Sequence, residues 1–141
     1  MKFNLKSVFA SGLVAGLLIN LSAIIIVPMV RNEIELVLES RGLPPLGNIA
    51  MLCFSMISFI LGVFLVGLYA VVKDQLGVGI MTAVIVSLIF WFLTYFLSNV
   101  SLSVYGFKPI RLTVIGTAWG WGELLLASIV GSKLYTEIKQ N

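Results

Sequence analysis

Between Ile49 and Val72 the sequence reads IAMLCFSMISFILGVFLVGLYAVV, without one charged side chain. A hydrocarbon layer about 30 Å thick is crossed by about 20 apolar residues wound as an α-helix. This stretch is long enough. It also lacks the alternation of polar and apolar positions that a membrane β-strand would show. Three further stretches pass the same test: Ser7–Val30, Val78–Leu97 and Ile110–Ser132. The sequence therefore predicts an all-α fold, an integral membrane bundle of four transmembrane helices, antiparallel in sequence order. Residues 1–141 form a single domain.

Composition agrees. Hydrophobic residues make up 60% of the chain and charged residues 11%, against about 25% charged in a soluble domain. So few charges cannot cover a globular surface, so lipid is the solvent for most of the chain. Histidine is absent, which removes the commonest general base and the commonest metal ligand. The single cysteine, Cys53, has no partner within the chain, which excludes an internal disulfide or a zinc cluster. It reads as a small apolar packing residue. The fragment Gly77-Val78-Gly79 lacks the strand, the third glycine and the Lys-Ser of a phosphate loop. It reads as a turn, and no cofactor or metal is expected.

The net charge of +3 comes from basic residues placed singly at segment ends. Helix anchoring explains them, and nucleic acid is not expected as a partner. Lys2 and Lys6 before the first stretch resemble the start of a signal peptide. The apolar run after them is too long for one, and no A-x-A site ends it.

The connections differ in character. Lys73–Gly77 is a tight turn, which makes the second and third spans antiparallel neighbours. Residues 31–41 place Ile34, Val37, Leu38 and Arg41 on one helical face, with Glu33, Glu35 and Glu39 elsewhere. That fits a short surface helix stopped at Gly42, or a first span that continues past the headgroups. In the third connection, Val100-Ser101-Leu102-Ser103-Val104 alternates as an extended segment would. Four crossings put both ends on one face. That face holds Lys2, Lys6, Lys73, Lys133 and Lys139, and the other holds Arg31, Arg41, Lys108 and Arg111. The excess favours cytoplasmic termini in a bacterial cytoplasmic membrane.

In lipid, small residues and polar contacts hold helices together. Gly12 and Gly16 have G-x-x-x-G spacing, with Asn20 and Ala23 on the same stripe. Thr113, Gly116, Gly120, Glu123 and Ala127 form a seam spaced three, four, three, four. Two such seams invite close contact, either between the first and fourth spans or across a dimer. Glu123 stands out because it lies near mid-membrane. An ionisable group there costs about 3 kcal/mol even on lenient scales. Its place on the seam turns it toward another helix. Asn20 is the best candidate partner, followed by Ser55, Ser58, Ser87, Thr94 and Thr117. Trp119 and Trp121 flank it away from the interface, as pocket walls or as packing. Tyr69, Tyr95, Tyr105 and Tyr135 lie near span ends and read as interface anchors, and Arg111 can snorkel to the headgroups.

Two segments resemble a family of small bacterial four-span membrane proteins. One is Leu68-Tyr69-Ala70-Val71-Val72-Lys73 with Gly77-Val78-Gly79 and Thr82-Ala83. The other is Trp119-Gly120 with Glu123, Ala127, Gly131 and Leu134-Tyr135 after it. The corresponding family patterns are L-Y-A with a basic residue and G-x-G, then W-G-x-x-E-x-x-x-A. The resemblance implies the four-span fold and the prominence of Glu123, and it implies no activity. In that family a glutamate comes after Asn-x-Ser in the first span. Here Ala23 stands after Asn20-Leu21-Ser22, so a second carboxylate is missing. In size and in its single intramembrane glutamate the chain is also similar to the small multidrug resistance transporters. Their glutamate lies in the first span, not the fourth.

The sequence supports two functional expectations. One is a non-enzymatic membrane protein acting through helix–helix contacts, as a homo-oligomer or an accessory subunit. The other is a proton-coupled carrier or small channel using Glu123. A membrane enzyme has few acid–base candidates in this sequence.

Overall fold

The computed structural model describes residues 4–137, so Lys2 and Lys139, counted above for orientation, lie outside the described residues. The fold is all-helical, with four helices each long and apolar enough to cross a membrane: α1 (Leu5–Glu39), α2 (Asn48–Leu76), α3 (Ile80–Val104) and α4 (Ile110–Leu134). At the start of α1 the Asn4 side chain accepts the Ser7 backbone N–H at 3.2 Å, which satisfies one of the unpaired amides of the first turn.

Two points of the sequence reading resolve here, the first as the longer first span it allowed and the second against expectation. Residues 31–41 form no separate surface helix, because α1 continues unbroken to Glu39. Arg31 bonds Glu35 one turn on at 2.7 Å, and Glu33 pairs with Arg111 in the first turn of α4. The side chain expected to snorkel is therefore tied to α1. Gly42, at φ +65°, adopts the left-handed conformation that ends the helix. At 35 residues, α1 is about 50 Å long, roughly 20 Å more than the hydrocarbon layer needs.

The second difference is Val100–Val104, which is helical rather than extended. The alternation that looks like a strand also sets Val100 and Val104 one helical turn apart. A helix satisfies its own backbone polar groups, which an extended stretch beside lipid cannot do. The turn after it closes with the N–H groups of Phe107 and Lys108 both donating to Leu102 O, at 2.8 and 3.1 Å.

In the bundle, α1 packs on α2 and α4, α3 packs on the same two, and α2 and α4 also touch each other. The core between them holds Ala15, Ile19, Leu65, Val66, Ala83, Val86, Leu124 and Ala127. The closest approach is α1 on α2. A Cβ on Gly12 would lie 2.5 Å from Val63 Cα, and one on Gly16 would lie 2.6 Å from Phe59 Cα. From the other side, a Cβ on Gly62 would collide with the backbone of Gly12 and Gly16. The first small-residue seam is thus spent against α2, not against the fourth span.

After α4 the chain runs as a strap, Tyr135–Glu137, against the start of α1. Asn4 Nδ2 donates to Thr136 O at 3.1 Å, and Thr136 N–H donates to Ser7 Oγ at 2.8 Å. Lys73, only 4% exposed, pairs with Glu137 and lies 5.0 Å from the centre of the Tyr135 ring. Tyr69 and Tyr135 are buried at this end and do not serve as the surface anchors their positions led one to expect. Tyr105 is exposed, as an anchor would be.

Candidate functional site

Glu123 is buried on α4, and its partner is Tyr95 of α3, whose hydroxyl donates to Glu123 Oε1. Tyr95 looked like a span-end anchor because α3 was expected to stop near Leu97. The helix runs on to Val104, so Tyr95 lies inside it. A π-helical turn at Phe92–Phe96 presents the ring, closed by Leu97 N–H on the Phe92 carbonyl. Such a turn takes one residue more than an α-turn and shifts the helical register of the residues after it. It is pinned by Thr94 Oγ1 donating to Phe90 O at 2.7 Å and by Trp91 Nε1 donating to Thr117 O at 2.8 Å. The stacked rings of Phe92 and Phe96, 5.2 Å apart, lie along it.

Gly120 makes the Tyr95 position possible. A Cβ there would collide with the tyrosine ring. Gly116, one turn earlier, leaves room for a different pair. A Cβ on Gly116 would lie 3.1 Å from Lys108 Nζ and 3.8 Å from Asn99 Nδ2. Lys108 Nζ donates to Asn99 Oδ1 at 2.6 Å, and burial lowers the Lys108 pKa below the ordinary lysine value. The second seam therefore houses polar side chains, while Ala127 is fully buried in the core.

Asn20, expected to meet Glu123, does not. Its Nδ2 donates to Gly16 O at 3.0 Å and to Ser55 O at 3.3 Å, which ties α1 to α2. The hydroxyls of Ser58, Ser87 and Thr94 turn back to carbonyls of their own helices. Thr117 Oγ1 is buried with no partner among the described residues.

The two tryptophans separate. Trp119 Nε1 donates to Ser22 Oγ of α1 at 2.7 Å, and Ser22 and Glu123 line the same cavity. Trp121 is 45% exposed and turns outward. Trp119, Ser22 and Glu123 line a cavity of about 700 Å³ whose other walls include Leu18, Leu21 and Ile115. Every lining residue belongs to α1 or α4, and Leu21 and Leu126 are exposed at its rim. The cavity is thus a groove that opens sideways, toward where lipid would lie.

The groove is apolar except at one wall, where a carboxyl, a serine hydroxyl and an indole N–H converge. Among the described residues, the ion pairs of the chain all lie elsewhere. The groove's carboxyl thus has hydrogen-bond donors beside it and no cation. Of these groups the sequence exposed Glu123 and Trp119. Ser22 was hidden by Asn20, two residues before it, and Tyr95 by its apparent place at a span end. Gly120, which faces the Tyr95 ring, is the signal that could have found Tyr95. No family model matches the chain, and neither a curated protein nor a solved structure matches it.

Proposed function

We propose that this protein binds a small lipophilic molecule bearing a positive charge, taken sideways from the bilayer, and works as a proton-coupled carrier. Glu123 would release its proton when the cation arrives and recover it when the cation leaves. The observation that carries this reading is the buried Glu123 carboxyl, without a cationic partner, on the wall of the apolar groove between α1 and α4. A volume of about 700 Å³ lies within the roughly 300–1,000 Å³ of small-molecule sites. An apolar wall with one carboxyl is the complement of an amine on a hydrophobic body. Trp119 adds an aromatic face that favours cations. The role is non-enzymatic on this reading, since among the described residues Tyr95 is the one titratable side chain bonded to the carboxyl.

Self-association remains a separate proposal. Gly12, Gly16, Gly116, Gly120 and Ala127 all face neighbours within one chain, so a homo-oligomer or an accessory contact would use lipid-facing side chains instead. We place both termini in the cytoplasm of a bacterium, on the lysine excess at that end of the bundle.

The test is binding of a fluorescent lipophilic amine to the protein in liposomes. Glu123→Gln is expected to weaken binding at least tenfold, about 1.4 kcal/mol, and wild-type affinity should rise with pH as the carboxyl deprotonates. Equal affinity in the two chains sinks the proposal. Thermal stability of Glu123→Met separates site from glue. A marked loss makes the carboxyl a structural link, whereas an unchanged or higher melting temperature fits a group kept for activity at the expense of stability.

A further inference from the structure

A glycine inside a helix weakens it, because its backbone has more freedom to lose on folding. Four glycines lie in α4, and three of them have a neighbour seated where a side chain would be. A Cβ on Gly116 would lie 3.1 Å from Lys108 Nζ, and one on Gly131 would lie 2.5 Å from Val66 Cγ2. One on Gly120 would collide with the Tyr95 ring. Gly122 is the exception. Among the described residues, nothing lies within 4 Å of a Cβ there. Its backbone is ordinary helix, without the positive φ that glycine alone would suit. Neither packing nor conformation asks for glycine at this position, and a local rule broken without structural return points to function.

What Gly122 faces is the groove. It lines the cavity of about 700 Å³ and is the residue before Glu123, whose side chain is 9% exposed. Ala118, one turn earlier, lines the cavity too, so the α4 wall is almost bare over a full turn beside the carboxyl. Two larger side chains, Ile115 and Leu126, bound this stretch, about 16 Å apart along the helix axis. Trp119 stands between them, its indole fixed by the bond to Ser22 Oγ at 2.7 Å. The groove is therefore broad at its centre, where the carboxyl is, and narrower toward its ends.

We infer that Gly122 is the specificity-determining residue of the groove: the space left by its missing side chain seats the ligand's apolar body, which is compact and attached close to the charged nitrogen. Consecutive Cα atoms are about 3.8 Å apart, so a body over Gly122 begins within a few bonds of a nitrogen held by Glu123. A ring in that place packs against the face of Trp119, whereas a long alkyl chain would have to run out past Ile115 or Leu126. Any side chain added at Gly122 takes room from the ligand without touching the protein. This rests on the carboxyl holding the ligand's charge and adds the size and shape of what carries that charge.

Two light-activated probes with one body test it: a benzylamine and a benzyl alcohol, each with a trifluoromethyl diazirine on the ring. Light expels dinitrogen from the diazirine, and the carbene left behind inserts into a neighbouring C–H or O–H bond. The probes are equilibrated with the protein in liposomes, and mass spectrometry of the α1 and α4 peptides reads groove labelling against concentration. Gly122→Phe should cut labelling by the amine at least about tenfold, and Gly122→Leu should cut it several-fold. Gly122→Ala should change it less than about twofold, and all three variants should melt no lower than wild type. Labelling that Gly122→Phe and Gly122→Leu leave at the wild-type level overturns the inference. So does a lowered melting temperature in Gly122→Ala, which would make the space structural. The alcohol separates this outcome from that of the carrier proposal. If it labels the groove as well as the amine does and Gly122→Phe abolishes both, the role of Gly122 stands and the carrier proposal falls. If the amine binds through Glu123 and Gly122→Phe changes nothing, the carrier proposal stands and the inference falls. A wild-type groove that neither probe labels sinks both.

Discussion

Two glycine pairs with the same spacing do opposite work. Gly12 and Gly16 bring the α1 backbone onto the α2 backbone, where Gly62 answers them. Gly116 and Gly120 hold α4 away from backbone contact and fill the space with an ammonium, an amide and a phenol ring. In the first pair the absence of a Cβ gains van der Waals contact between helices, which is the main attraction available in lipid. In the second it makes room for polar groups that could not otherwise sit at that depth. A G-x-x-x-G spacing therefore says that something approaches closely, and the neighbour decides what.

Substitutions can break this comparison. Gly16→Val should have the largest effect, because the clash is with backbone that cannot swing aside. About 3 kcal/mol of stability should be lost, read as a sharp drop in melting temperature in mild detergent, and no second change in a side chain should rescue it. Gly120→Ala should cost less, about 1–2 kcal/mol, because its clash is with the Tyr95 ring. In a Tyr95→Ala background most of that cost should vanish, a rescue that Gly16 cannot have. If Gly120→Ala proves as severe with the ring as without it, the second pair is a backbone contact after all. Gly122→Ala should have the smallest effect. Nothing lies within 4 Å of a Cβ there, so the helix should gain about 0.5–1 kcal/mol from the better helix former. A loss at that position would mean that a neighbour approaches α4 where none is seen.

The four crossings were legible because hydrocarbon thickness fixes the length of an apolar helix, and length is written in the sequence. The end of α1 at Gly42 was legible too, since a left-handed stop has a residue signature. How far α1 stays helical beyond the membrane was not, because its last turns are held by Glu33 on Arg111, a contact between residues far apart in the chain. Val100–Val104 misled for a simpler reason: five residues are too few to separate period two from period 3.6. Glu123 announced itself by its cost, whereas Tyr95 did not. A π-turn has no sequence signature comparable to a capping box, so the register shift that aims Tyr95 inward appears only in three dimensions. Asn20 was drawn to Glu123 by its depth and by its small-residue stripe, and the backbone of α2 claimed it first.

The strap at Tyr135–Glu137 has a consequence for how the bundle is made. Helices enter a membrane in the order of synthesis, and α1 to α3 are finished while the strap is still to be translated. Until Glu137 arrives, Lys73 sits at the end of α2 without its nearest carboxylate, and the Asn4 amide has no carbonyl from Thr136 to bond. The first turn of α1 and residues 135–137 therefore close together, as a late step of assembly rather than an early one. A stalled chain that ends within α4 would be inserted but left unlatched, with Lys73 uncovered at the end of α2.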